Sequence, residues 1–98
     1  MHIGACTLTL NIHSSRSLKD KRQILRSITD RLKHRFNVSV SEVDNNNSWT
    51  TATLGIVCVS NDKQFTNELI SRAINFVNSD RLPIEILDTS TDIISGSN

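Results

Sequence analysis

Eight of the eleven Lys and Arg residues fall between positions 16 and 35: Arg16, Lys19, Lys21, Arg22, Arg26, Arg31, Lys33 and Arg35, against only Asp20 and Asp30. The rest of the 98-residue chain holds three cations and eight carboxylates, so the formal charge of +1 conceals a basic segment on an acidic remainder. Side chains of this kind bind phosphates and other oxyanions through charge-assisted hydrogen bonds. Their segregation points to an anionic partner, although a solvated helix face is the plainer reading. Lys19, Lys21 and Arg22 crowd the start of a helix, where the macrodipole is already positive and each exposed cation costs a few tenths of a kcal/mol. An anion there would reverse the sign, with backbone amides and the Ser14 and Ser15 hydroxyls as further donors. The candidate nucleic-acid or anion-binding residues are therefore Arg16, Lys19, Lys21 and Arg22, with Arg26 and Lys33 extending the track.

Other chemistry has little to stand on. The chain has no GxSxG or HExxH motif, and its three glycines form no phosphate-cradling loop. Asp44, Asp62, Asp88 and Asp92 follow no recurrent spacing, and Glu42 with Asp44 reads as solvating charge beside a hairpin. Cys6 and Cys58 sit in apolar runs without a CxxC spacing, as buried thiols of a reducing compartment do. His2, His13 and His34 show no ligand spacing either. The expectation is a non-enzymatic protein without metal or cofactor. The one tryptophan, Trp49, is either a core anchor or a contact for a partner.

The elements that position these residues follow from periodicity. From His2 to Ile12 the sequence alternates, with Cys6, Leu8, Leu10 and Ile12 on one side of a strand. Ser17 and Asp20 form an S-x-x-D capping box that starts a helix running to about Arg35. Leu18, Leu25, Ile28, Leu32 and Phe36, with Ile24 beside them, make its apolar stripe. At about 100° per residue, Lys19, Arg22, Arg26 and Lys33 share an arc of about 60° next to that stripe, while Arg31 and Arg35 flank it on the other side. Asp30 is placed to pair with Arg26 and His34.

A second strand turns Val38 and Val40 inward, and the polar run from Asp44 to Ser48 makes a hairpin bend. Trp49 to Ser60 gives a central third strand with Ala52, Leu54, Ile56 and Cys58 on one face. Asn61 or Ser60 caps a second helix whose stripe is Phe65, Leu69, Ala73 and Phe76, widened by Ile70 and Val77. After Asp80, Pro83 opens a last strand with Ile84 and Ile86 inward. The order βαββαβ closes most readily into an α+β ferredoxin-like fold, a four-stranded antiparallel sheet with two helices on one face. One domain over residues 1–94 and a disordered tail over 95–98 are expected.

The sheet's other face would carry Ala5, Thr7, Thr9, Thr51, Thr53, Gly55, Val57 and Val59, none of them aromatic, so base stacking in the manner of an RRM is not expected. Val43, Val57, Val59 and Leu87 there offer a mildly apolar surface for a homodimer. No run approaches the roughly 18 apolar residues of a membrane span. The N-terminal MHIGACTLTL alternates where a signal peptide would not, so a soluble, cytoplasmic protein is expected.

SLKDKR at 17–22, RFNVSVSEVD at 35–44, Trp49 and ATLGIVCVSND at 52–62 resemble the YlxP-like family of small bacterial proteins, a domain of unknown function. The resemblance spans roughly residues 1–94 and implies a ferredoxin-like fold. Genes of that family often lie beside those for a translation initiation factor and a ribosome-binding factor, which implies a bacterial cytoplasmic protein linked to ribosome assembly or translation. It brings no catalytic residues, and the DNNNS loop at 44–48 is particular to this chain.

Overall fold

The computed structural model describes residues 1–44, 47–79 and 81–96. Its elements run β1 (His2–Asn11), α1 (Leu18–Arg35), β2 (Ser39–Glu42), β3 (Thr51–Ser60), α2 (Lys63–Val77) and β4 (Glu85–Ser95). The strands form one antiparallel sheet in the order β2-β3-β1-β4, the ferredoxin-like arrangement. β1 and β3 are the central pair, joined in an unbroken register from His2↔Ser60 to Asn11↔Thr51.

Period-two alternation decides which face is covered. Cys6, Leu8, Leu10 and Ile12 at the β1 end, and Ala52, Leu54, Ile56 and Cys58 on β3, are buried and join the helix stripes in a single core. Gly4 belongs to the same face for a steric reason. A Cβ there would lie 2.8 Å from Ile70 Cγ1 and from Thr66 Cγ2, so α2 rests directly on the β1 backbone.

On β4 the register shifts between Thr9 and Leu10, so that Leu10 faces Ile86 and Thr9 faces Asp88. This bulge turns Ile86 toward the core and leaves Leu87 53% exposed. The strand continues through Ser95, and the Gly96 amide donates to Met1 O at 2.8 Å, so the paired region passes the expected boundary at residue 94. Ser97 and Asn98, the rest of the expected tail, lie outside the described residues. So do Asn45 and Asn46 of the expected hairpin bend, and Asp80.

The two helix starts differ in how well they match expectation. Ser17 is the N-cap of α1, its Oγ accepting from Asp20 N at 3.0 Å. For α2 the cap is Asp62, not Asn61 or Ser60, with Oδ1 accepting from Phe65 N at 3.1 Å. Starting one residue later turns Phe65 outward, 46% exposed, and puts Thr66 in the core. Thr66 is tolerated there because its hydroxyl donates to Asp62 O at 2.9 Å and lies 2.7 Å from Ser60 Oγ.

Candidate nucleic-acid interface

The six cations expected to bind anions do not form one surface. Arg16, Lys19, Arg22, Arg26 and Lys33 are exposed, four of them along one flank of α1 and Arg16 just before its start. Lys21 is only 3% exposed. Its ammonium donates to Ser48 O at 2.6 Å and Thr51 O at 3.1 Å, and lies 3.9 Å from Glu42 Oε2. Lys21 thus leaves the binding site and becomes a tie between the first turn of α1 and the β2–β3 connection. The signal was present in the spacing. Buried Leu25, Ile28 and Leu32 continue a 3-4 repeat from Leu18 that requires an inward residue at position 21. A long aliphatic stem with a polar tip meets that requirement when carbonyls wait at its end.

The helix start is also less open to a ligand than the residue types imply. Ser15 Oγ donates to Ser17 O at 3.1 Å, Ser17 Oγ is taken by the Asp20 amide, and Asp20 Oδ2 accepts from Arg16 N at 3.1 Å. A carboxylate of the chain itself therefore stands where an anion would be drawn, and it offsets the positive end of the helix. With Lys21 buried and Asp20 in the first turn, the crowding of cations is largely resolved inside the fold. What remains is a linear feature. Lys19 and Lys33 lie fourteen steps apart, about 21 Å along the helix.

No carboxylate of a described residue pairs with any of these five exposed cations. Ion pairs between described residues join His13 to Glu85 at 3.9 Å and Lys21 to Glu42. The expected pairing of Asp30 with Arg26 and His34 is not formed. Trp49 is 56% exposed, which excludes the core-anchor reading. It sits between the two carbonyls that Lys21 grips, and Thr50 O accepts from Ile12 N at 2.7 Å, so it lies at the end of the molecule from which α1 departs.

On the uncovered sheet face, pairing sets Ile3 between Val59 and Ile94, with Val57 opposite Ala5 in the next row. Val57, Val59 and Ile94 are 43%, 57% and 55% exposed, an apolar strip across three strands. Among the described residues no helix is long and apolar enough to cross a membrane.

Comparison with known proteins agrees with this fold. A de novo designed protein, Foldit4, superposes with a TM-score of 0.55 at 11% identity, covering 99% of this chain and all of that one. SnoaB, a cofactor-independent oxygenase from Streptomyces nogalater, superposes with a TM-score of 0.50 at 5% identity, covering 99% and 94%. At such identities the likeness concerns the fold alone. Sequence says more. The uncharacterised protein YlxP of Bacillus subtilis (strain 168) is 34% identical over 77 residues, which cover 79% of this chain and 84% of that protein. The family model described as protein of unknown function (DUF503) matches residues 3–91. The chain is therefore a member of the DUF503 family, to which its YlxP-like blocks had pointed.

Proposed function

We propose that this chain is a non-enzymatic RNA-binding protein of the bacterial cytoplasm. It docks structured RNA, ribosomal RNA being the natural candidate, on the flank of α1 that carries Lys19, Arg22, Arg26 and Lys33, with Arg16 at its head. The observation that carries this reading is the set of five exposed cations without a carboxylate partner among the described residues. Surface cations that serve only solubility are commonly paired with acids, whereas these stay unpaired along about 21 Å although Asp30 shares their flank, and a track of that length matches a phosphate backbone. Readout is by phosphate and shape, because no aromatic side chain stands on the open sheet. Trp49, exposed where α1 begins, supplies an aromatic contact at the end of the track.

The test is fluorescence anisotropy of a labelled structured RNA with wild-type protein and with Arg22→Glu/Arg26→Glu. Binding falls at least tenfold in the variant while its thermal unfolding is unchanged; equal affinity with intact folding refutes the reading.

The apolar strip of Val59, Ile3 and Ile94 supports a second reading, a homodimer joined through the open sheet faces. It requires a dimer in sedimentation that Val59→Lys converts to monomer and that salt does not disperse.

A further inference from the structure

A second cationic cluster lies on the other flank of α1, away from the proposed RNA track. Arg35, Arg72, Asn75, Phe76, Ser79 and Arg81 line a cleft of about 460 Å3 between the ends of the two helices. Arg31, His34 and Leu82 line an adjoining cavity of about 270 Å3. The Arg35 guanidinium is 5.0 Å from the centroid of the Phe76 ring, which Phe36 meets edge-on at 6.0 Å. Stacking engages the face of a guanidinium and leaves its in-plane N–H groups for an oxyanion.

Two observations point to a ligand. First, like charges converge here, and no carboxylate of a described residue pairs with Arg31, Arg35, Arg72 or Arg81. The dipole at the C-terminus of α1 accounts for Arg35, which lies in the last turn. It does not account for Arg72, which precedes the last turn of α2, or for Arg81 beyond that helix. Second, the buried Ser79 Oγ has no hydrogen-bond partner, although the Ser79 amide and carbonyl are both used, to Phe76 O and from Leu82 N. Buried hydroxyls are normally satisfied, and this one belongs to a residue that lines the same cleft as the arginines.

We propose that the cleft binds a phosphate monoester of nucleotide size, the phosphate among Arg35, Arg72 and Arg81, with Ser79 Oγ a further donor once its χ1 rotates toward the ligand. The organic part rests against Phe76 and Leu82. A monoester carries close to two negative charges at neutral pH, matching several guanidiniums better than the single charge of a backbone diester. The volume lies within the range of small-molecule sites, about 300–1,000 Å3, and exceeds what a bare oxyanion needs. This site is independent of the proposed RNA track. Its ligand is either a free mononucleotide or the terminal phosphate of a short RNA.

Backbone amide NMR titrations with adenosine 5′-monophosphate, adenosine, inorganic phosphate and a trinucleotide with and without its 5′-phosphate test it. The monophosphate moves amides in residues 31–37, 72–79 and 81–82, adenosine does not, and inorganic phosphate binds at least tenfold more weakly. Preference for the phosphorylated trinucleotide over the mononucleotide assigns the terminal phosphate of RNA, and the reverse assigns the free nucleotide. Arg72→Gln/Arg81→Gln weakens monophosphate binding at least tenfold, and the loop substitution Arg81→Gln alone weakens it several-fold, whereas Arg22→Glu/Arg26→Glu leaves it unchanged. Undiminished affinity in Arg81→Gln, equal binding of inorganic phosphate, or shifts confined to the α1 track overturn the proposal.

Discussion

Lys21→Met separates structure from function within the SLKDKR block. The substitution keeps an unbranched stem in the buried site and removes the ammonium that donates to Ser48 O and Thr51 O. Hydrogen bonds from a charged donor contribute about 1.5–3 kcal/mol each, and both are lost. Two effects reduce the total. Ser48 and Thr51 are only partly buried, so their carbonyls recover some hydration, and the variant no longer desolvates a charge. The Glu42 contact adds little, because that carboxylate is 37% exposed and screened. The net loss is about 1–3 kcal/mol, which for a domain of this size lowers Tm by about 5–20 °C. Circular dichroism at 222 nm with urea and heat measures it, and Lys19→Met on the exposed flank serves as the control, within about 0.5 kcal/mol of wild type. The ammonium faces carbonyls, so RNA affinity measured below the transition stays within twofold for Lys21→Met and falls for Lys19→Met. A Lys21→Met protein as stable as Lys19→Met, or one that has lost RNA binding while folded, refutes the assignment of Lys21 as a structural tie.

Three further outcomes follow from the packing. Gly4→Ala, whose Cβ would lie 2.8 Å from side chains of α2, destabilises by about 1–3 kcal/mol in urea titration. Gly55→Ala meets only Val43 Cγ1 at that distance, and because Val43 is 59% exposed and can turn away, its cost stays within about 0.5 kcal/mol. Thr66→Val removes the hydroxyl that bonds Asp62 O and Ser60 Oγ, and because Ser60 Oγ keeps its bonds to Asp62 the loss of stability is about 1 kcal/mol in the same assay. Burial raises the Cys6 and Cys58 thiols above the ordinary value of 9.0, outweighing hydrogen bonds from Thr91 and from the Gly4 backbone, which lower them. A thiol pKa raised by folding means that the folded state holds its proton where the unfolded state has lost it. Stability is therefore fully present below pH 9 and declines as pH rises past it, and replacing both cysteines by alanine flattens that decline in pH-dependent urea titrations.

The fold was legible because alternation speaks directly about burial in a sheet with one covered face. Every inward position read on β1 and β3 is buried, and the Ser17 capping box forms as its spacing requires. Sequence pattern fails where a polar residue is buried with its own partners. Lys21 carries the charge of a surface residue and the position of a core one, and its partners are carbonyls almost thirty residues away, which no local pattern reveals. The α2 start is ambiguous in sequence because Ser60, Asn61 and Asp62 are all good caps, and only the packing of Thr66 against Gly4 selects the last. Strand β4 was harder to delimit because, as an edge strand, it is exposed at nearly every position and lacks alternation. At the candidate site the exposed track was visible from helical spacing. The Arg72–Ser79–Arg81 cleft was not, since it is assembled from two helices and a loop.

The central claim, that the α1 flank neutralises RNA phosphates, is tested most directly by the salt dependence of binding. Plotting log K against log salt for a structured RNA gives a slope of about −0.7 to −0.9 per phosphate neutralised, so five contacts predict about −3.5 to −4.5. Arg22→Glu/Arg26→Glu makes the slope shallower by about two contacts' worth, and Lys21→Met leaves it as in wild type. A slope near zero, or one that the double variant does not change, contradicts the account.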